Sequence, residues 1–357
     1  MSTHKHIDNV LIFRIGSLGD TLVALPAFHL LRAQFQESRI TLLTNSPEDG
    51  GIKAAPSHQI LMGTGLIDNY IEYPHGQFSG SSLLHTIGKI RQLDKTILIY
   101  LMPNRSFTQR LRDAFFFSLA GVWRIRGLIP KGDSNLHQKI VGRDYYESEA
   151  SRLLRAVGFD PKQLSQALFS LELQKDERDV ASKILVELKS PFIALSIGAK
   201  VPAKDWGADR WVELLQKLHD TVHSQYALVF LGSQDEYERC QSIAVNWSSD
   251  VLNLCGSLNP RQSAAVLEKA TLFVGHDSGP MHLACSVGIP CVSIFAARNK
   301  PGIWFPFGNE DNVFYNDVPC SNCNLSVCTE QKMVCIRSIQ PTEVAERIQM
   351  LLLQSNN

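Results

Sequence analysis

Leu272-Phe-Val-Gly-His276-Asp277-Ser278-Gly279-Pro280-Met-His282-Leu-Ala-Cys-Ser-Val-Gly288-Ile-Pro290-Cys-Val-Ser-Ile-Phe295 decides how this chain folds. Leu272 to Val274 reads as a buried strand and Asp277-Ser278-Gly279 as a turn rich in helix-capping residues. Pro280 reads as a first helical residue, because its missing N–H has no partner to lose there. Gly288-Ile289-Pro290 stops the helix after about two turns, and Cys291 to Phe295 resumes as a second buried strand. Strand, tight turn, helix and parallel strand make a βαβ unit, whose turn lies at the carboxyl end of the sheet where helix N–H groups face an anion. His282 falls on the first helical turn, so Asp277, Ser278, Gly279 and His282 are candidates to meet one phosphorylated ligand. The competing reading is a capped helix with one satisfied histidine.

The 357 residues favour two domains, and 44% apolar with 20% charged residues is an ordinary globular composition. Lys plus Arg and Asp plus Glu both number 35, which gives no general nucleic-acid footprint. The start, Met-Ser-Thr-His-Lys-His, has no apolar core of a leader, and no run of about 18 apolar residues occurs, so the expectation is a cytoplasmic protein without a membrane span. Cys240, Cys255, Cys285 and Cys291 sit in apolar surroundings and read as small hydrophobes.

Working outward, Asn9 to Ile15 reads as a first strand that runs into Gly16-Ser17-Leu18-Gly19-Asp20-Thr21. The two glycines allow a sharp turn and close approach of backbone to ligand, while Ser17 and Asp20 supply polar groups at a helix start. Asp20 is either a capping carboxylate or a catalytic one. Strands follow at Arg39 to Thr44, Ile67 to Tyr73 and Thr96 to Met102, and Pro103-Asn104-Arg105-Ser106 leaves the last of them. Arg105 lies in that loop, where a planar guanidinium suits a phosphate or carboxylate, although loop arginines are commonly just solvated. Tyr145 to Val157 reads as a helix closing this half, and the boundary falls near Leu171.

In the second half, the strand Phe192 to Ser196 leads into Ile197-Gly198-Ala199-Lys200-Val201-Pro202-Ala203-Lys204-Asp205-Trp206. Ser196, Gly198, Lys200 and Lys204 thus hang at a strand's carboxyl end, where a lysine is a compact charge suited to a diphosphate. Tyr226 to Leu231 ends in Gly232-Ser233-Gln234-Asp235-Glu236, where Gln234 or an acidic neighbour is placed to meet a ribose. Trp211, Leu214, Leu215 and Leu218 mark the apolar face of the intervening helix. Near the carboxyl end, Cys320-x2-Cys323-x4-Cys328-x6-Cys335 is open to three readings: a structural Zn or Fe site, free thiols, or disulfides. The chain closes on an amphipathic helix from Pro341.

Four stretches together resemble the bacterial heptosyltransferases of glycosyltransferase family 9. They are Arg14-Ile-Gly-Ser17-Leu-Gly19-Asp20 with Leu25-Pro26-Ala27, the Gly198 to Trp206 loop, Val274-Gly-His-Asp277-Ser278-Gly279-Pro-Met-His282-Leu-Ala, and the cysteine segment ending in Ile339-Gln-Pro341-x2-Val344. The resemblance implies an α/β fold of GT-B type, with two Rossmann-like domains facing across a cleft. An acceptor domain would span 1–171 and a nucleotide-sugar domain 172–340, with the 341–357 helix packing back on the first domain. It implies inverting transfer from a nucleotide sugar, usually ADP-heptose, without a catalytic metal, to a lipopolysaccharide-core or other surface-glycan acceptor at the cytoplasmic face of the inner membrane. Asp20 then resembles the general base, Lys204 the diphosphate ligand, and Asp277, Ser278, Gly279 and His282 the donor-binding turn. Ser17, Gly19 and Arg105 fall on the acceptor side. The chain departs from the family pattern in Ser278 where threonine is common, in the Gly279-Pro280 pair, and in Gly207 where proline is frequent. Another nucleotide sugar, a protein acceptor, or a silent nucleotide-sugar-binding role are the alternatives.

Overall fold

The computed structural model describes residues 7–45, 57–73, 80–129, 132, 136–222 and 225–355; Met1 to His6, read above for a leader, and the last two residues lie outside them. It divides into two compact units, Met1–Gln138 with Glu147–Leu171, and Lys139–Tyr146 with Glu172–Asn357.

The first unit runs β1 (Asn9–Phe13), α1 (Leu18–Leu22), α2 (Leu25–Gln34), β2 (Arg39–Asn45), α3 (Ser57–Leu61) and β3 (Asn69–Tyr73). It continues through α4 (Gly80–Arg91), β4 (Thr96–Tyr100), α5 (Phe107–Leu119), β5 (Ile125–Arg126) and α6 (Glu149–Ala156). The strands form one parallel sheet in the order β3-β2-β1-β4-β5. Val10 to Ile12 are fully buried because helices cover both faces, which is why β1 reads as an unbroken apolar run. The strand order reverses between β1 and β4, so the loops after Phe13 and Tyr100 diverge and leave a crevice at the carboxyl ends of these strands.

Helical structure pauses at Val23 and Ala24 and restarts at Leu25, with Pro26 near the start of the second piece, where its missing N–H has no partner to lose. Two local features differ from the sequence reading. The short elements α3 and β5 carry too little periodicity to stand out. The helix expected from Tyr145 begins at Glu149 behind a Ser148 cap, because Tyr145 and Tyr146 spend their backbone groups elsewhere: the Ile140 N–H donates to the Tyr145 carbonyl, and the Tyr146 N–H to that of Pro301.

The second unit runs α7 (Lys175–Ile184), β6 (Phe192–Ser196), α8 (Ala208–Val222), β7 (Ala227–Phe230), α9 (Tyr237–Ala244), β8 (Val251–Asn253) and α10 (Pro260–Leu267). Then come β9 (Leu272–His276), α11 (Gly279–Ser286), β10 (Cys291–Phe295), β11 (Val313–Tyr315), α12 (Val334–Arg337) and α13 (Pro341–Ser355). Its parallel sheet has the order β11-β10-β9-β6-β7-β8, with the reversal between β6 and β9. Trp211, Leu214, Leu215 and Leu218 of α8 are all buried, as their spacing predicts. The closing helix, α13, lays Val344, Ala345, Ile348 and Leu352 into the second unit's core against the apolar face of α8. Its amphipathic stripe demands a partner, and α8 supplies one in the same unit. Among the described residues, no helix is long and apolar enough to cross a membrane.

Candidate active site

In the second unit, the loops after β6 and β9 emerge on either side of the strand-order reversal, and two residues join them. His276, the last residue of β9, is fully buried and links both ends of the loop that follows β6. Its Nε2 accepts from the Trp206 N–H at 3.1 Å, which leaves the ring proton on Nδ1 to be donated to the Gly198 carbonyl, also at 3.1 Å. Burial lowers its pKa to about 4, so the ring is neutral. The second join is Lys204, whose Nζ lies 2.6 Å from Asp277 Oδ2 and donates to the Asp277 carbonyl at 3.2 Å.

Around this ion pair stand the groups of the turn. Ser278 precedes α11 with an extended backbone, and its Oγ is a buried atom without a hydrogen-bond partner. Gly279 and Pro280 are the first two helical residues, one position earlier than the proline alone suggests. His282 is buried on the first turn, its ring edge-on to Trp304 at 6.3 Å between centroids. Lys200 is exposed at the loop's apex. Ser196 is buried at the end of β6, and a Cβ on Gly275 would collide with Phe273 and crowd the Ser196 carbonyl, which explains a glycine inside β9.

Gln234 is exposed, with its amide against Gly256. The carboxylate nearer the crevice is that of Glu236, which lies flush against Gly198 and Gly232, where a Cβ on either glycine would strike it. Burial pushes its pKa up, while the Ser233 N–H donating at 3.0 Å acts against that shift. His276 and Trp304 therefore join the site although the sequence did not single them out, and Glu236 is the acidic neighbour of Gln234 that the Gly232 to Glu236 turn offered. Gly207 has φ +106°, which proline's ring forbids, so the departure at that position has a geometric cause. Beside it, Asp205 takes a two-pronged ion pair from Arg239 at 2.6 and 2.8 Å, which holds its carboxyl below the usual range despite partial burial.

In the first unit, Asp20 sits in the first turn of α1, directly after β1. Its Oδ2 accepts from the Ser17 N–H at 2.8 Å and from the Ser17 hydroxyl at 2.7 Å, a capping arrangement. Its Oδ1 is 3.7 Å from Arg14 Nη2, and the side chain keeps 24% of its surface open. Arg14 is fully buried and donates to the carbonyls of Leu101 at 3.1 Å and Asp20 at 2.6 Å, so it ties the ends of β1, β4 and α1 together. Gly19 is buried within α1, and Gly16 must be glycine because a Cβ would collide with Asp20. Arg105 leaves the end of β4, stacks over Phe13, and donates to Asp113 Oδ2 at 2.6 Å, an oxygen that also accepts from the Tyr100 hydroxyl. It is anchored, not loosely solvated.

The cysteine segment, open in sequence to a metal site, free thiols or disulfides, carries its sulfurs here as free thiols. Cys320, Cys323, Cys328 and Cys335 are all free, Cys323 is exposed, and among the described residues no group of three or more His, Cys, Asp or Glu side chains is placed to hold a metal ion. Cys335 is half-buried, with its pKa raised by desolvation and further by Cys320 and Cys328. The residues between the thiols brace two loops of the second unit, those after β6 and β10. The Ala203 N–H donates to the Ser326 carbonyl, and the N–H groups of Asn322 and Asn324 donate to the carbonyls of Ala297 and Arg298.

With this geometry in place, the likenesses to known proteins become informative. A curated relative, lipooligosaccharide heptosyltransferase 2 of Campylobacter jejuni, is 21% identical over 95% of this chain and 97% of its own length. A crystal structure of a glycosyl transferase family 9 protein from Veillonella parvula superposes with a TM-score of 0.74 at 19% identity, covering 98% of this chain and 99% of that one. The iron-containing dodecameric glycosyltransferase TibC of enterotoxigenic E. coli H10407 superposes with a TM-score of 0.56 at 16% identity, covering 98% of this chain and 77% of that one. The sequence pattern of glycosyltransferase family 9 (heptosyltransferase) matches residues 131–334, more than half of the chain. Two Rossmann-like units of GT-B type carry that pattern here, and the chain belongs to glycosyltransferase family 9 as a glycosyltransferase.

Proposed function

We propose that the chain transfers a heptose from ADP-heptose to a lipopolysaccharide-core or related surface-glycan acceptor, with inversion at the anomeric carbon and without a catalytic metal. The observation that carries this reading is the Lys204–Asp277 ion pair beside the unpartnered Ser278 hydroxyl, at the start of α11 and at the strand-order reversal of the second unit. A diphosphate there meets a lysine charge, a free hydroxyl and helix N–H groups together. Glu236, with Gln234 behind it, is placed for the ribose hydroxyls, and Lys200 and His282 flank the diphosphate. The heptose itself is suggested by the relatives named for heptosyl transfer.

Inversion requires an acceptor hydroxyl to attack as its proton leaves. Asp20 is the base in this reading: Ser17 occupies Oδ2 and so orients the carboxylate, which leaves Oδ1 to take the proton. Ser17, Gly19 and Arg105 shape the acceptor side. The cysteine segment takes no part in this reading. The test is turnover with ADP-heptose against a panel of other nucleotide sugars, in the wild type and in Asp20→Asn. The amide keeps the cap but not the base, so turnover should fall by about 10² to 10⁴ with melting temperature and ADP affinity nearly unchanged. Full activity in Asp20→Asn, or preference for another sugar nucleotide, overturns the corresponding part.

A further inference from the structure

Helix α5 is built inside out. Its one acidic residue, Asp113, is buried and held by Arg105, Arg112 and Tyr100, while its outward face carries Phe107, Leu111, Phe115 and Leu119 at intervals of four. These four are 72%, 59%, 64% and 44% exposed, and Trp123, just past the helix end, is 77% exposed. On a soluble helix this face is the charged one, and an apolar stripe of this length marks a docking surface. Helix α4 is tied alongside, the Arg91 guanidinium donating to the Leu119 carbonyl, and adds exposed Leu84.

The charge around the stripe identifies what it meets. Between Gly80 and Arg126 the sequence holds eight Lys or Arg against two Asp and no Glu, in a chain whose 35 basic and 35 acidic residues otherwise cancel. Lys89, Arg91, Arg112 and Arg124 are exposed among them. We propose that this face of α5, with Trp123, docks the protein on an anionic lipid surface. Aromatic and leucine side chains enter the headgroup boundary while the arginines meet lipid phosphates, and each basic residue near such a surface adds attraction. A second copy is a poorer occupant, because a two-fold contact would press two basic faces together. The inference rests on the glycolipid acceptor proposed above and deepens it: α5 starts two residues after Arg105, so a membrane-borne acceptor would arrive where the first unit's site opens.

The experiment is co-sedimentation of the full chain with phosphatidylcholine vesicles, plain or with a third of the lipid as phosphatidylglycerol, alongside transfer to a soluble, delipidated acceptor. Binding to the anionic vesicles alone is expected, with a loss of roughly ten-fold or more in Phe107→Ser/Leu111→Ser/Phe115→Ser and in high salt, while soluble-acceptor turnover and melting temperature stay unchanged. Arg124→Gln should weaken vesicle binding with the apolar stripe intact. Wild type that ignores anionic vesicles, or a triple variant that binds them equally well, overturns the proposal, as does a triple variant whose only change is dissociation of an oligomer. Failure of transfer on the soluble acceptor would instead strike the glycosyl-transfer reading and leave the docking result standing.

Discussion

Lys204, the proposed diphosphate ligand, has a structural duty as well. From sequence alone, its replacement removes a ligand of the donor and nothing else. In the structure its ammonium is the counter-charge of Asp277, whose side chain is only 8% exposed. Lys204→Ala should therefore weaken ADP binding and also cost about 1–3 kcal/mol of stability, because a buried carboxylate is left unpaired. The double variant Lys204→Ala/Asp277→Ala should recover part of the stability without recovering ADP affinity. Calorimetric titration and thermal melts of the three variants read the two effects separately, and full ADP affinity in Lys204→Ala would move the diphosphate away from this pair. Asp20 has the same layering if it is the proposed base, since its capping bonds to Ser17 fix the carboxylate.

At the scale of elements, the segment that carries four cysteines acts as a brace for the loop bearing Lys204. Thiol reactivity should follow the surroundings of each sulfur. In reduced, folded protein an aromatic disulfide reagent should modify exposed Cys323 first and Cys335 slowly, since the thiolate is the reactive form and burial disfavours it. Cys285 and Cys291, both buried with thiols pushed up, should react only on unfolding. Protection of Cys320, Cys323, Cys328 and Cys335 together, lifted by a chelator, would show a bound ion and overturn the free-thiol arrangement. Alkylating Cys323 should loosen the brace and lower donor affinity more than acceptor affinity.

For the whole molecule, the two units should respond to acid in different windows. His276 titrates near 4 when folded and near 6.5 when unfolded, so below pH 6.5 the unfolded chain takes up a proton that the folded second unit refuses. That unit should lose about 3 kcal/mol between these two values. Glu149 of the first unit is held near 2 by its contacts with Arg152 and His137 in spite of burial, against 4.5 unfolded. Its contribution is full above 4.5 and is lost as the pH falls from there to about 2. Four of the five tryptophans, Trp206, Trp211, Trp247 and Trp304, lie in the second unit, so tryptophan fluorescence reports chiefly on it. Denaturant melts followed this way should weaken from pH 6.5 downward, and His276→Gln, less stable at neutral pH, should lose that slope. An unchanged slope in the variant would assign the acid sensitivity to another group.

What the sequence determined by itself was whatever local chemistry dictates. Central strands such as Asn9–Phe13 and Leu272–His276 announce themselves because both faces are covered, which leaves unbroken apolar runs at Val10 to Phe13 and Leu272 to Val274. Turns such as Asp277-Ser278-Gly279 announce themselves because few residues can start a helix there. The alternation of such strands and helices was enough for the fold class. Edge elements such as β5 and β11, two and three residues long, are defined by a neighbour's hydrogen bonds and leave no pattern of their own. The partner of α13 was equally hidden, because an amphipathic stripe states that a helix packs but not against what. The same reason separates Asp277 from Glu236 and His276: the first sits in a motif, whereas Glu236 matters through its contact with Gly198, and His276 through Gly198 and Trp206, all tens of residues away in the chain. Long-range packing is the product of the whole sheet closing at once, and only the tertiary structure records it.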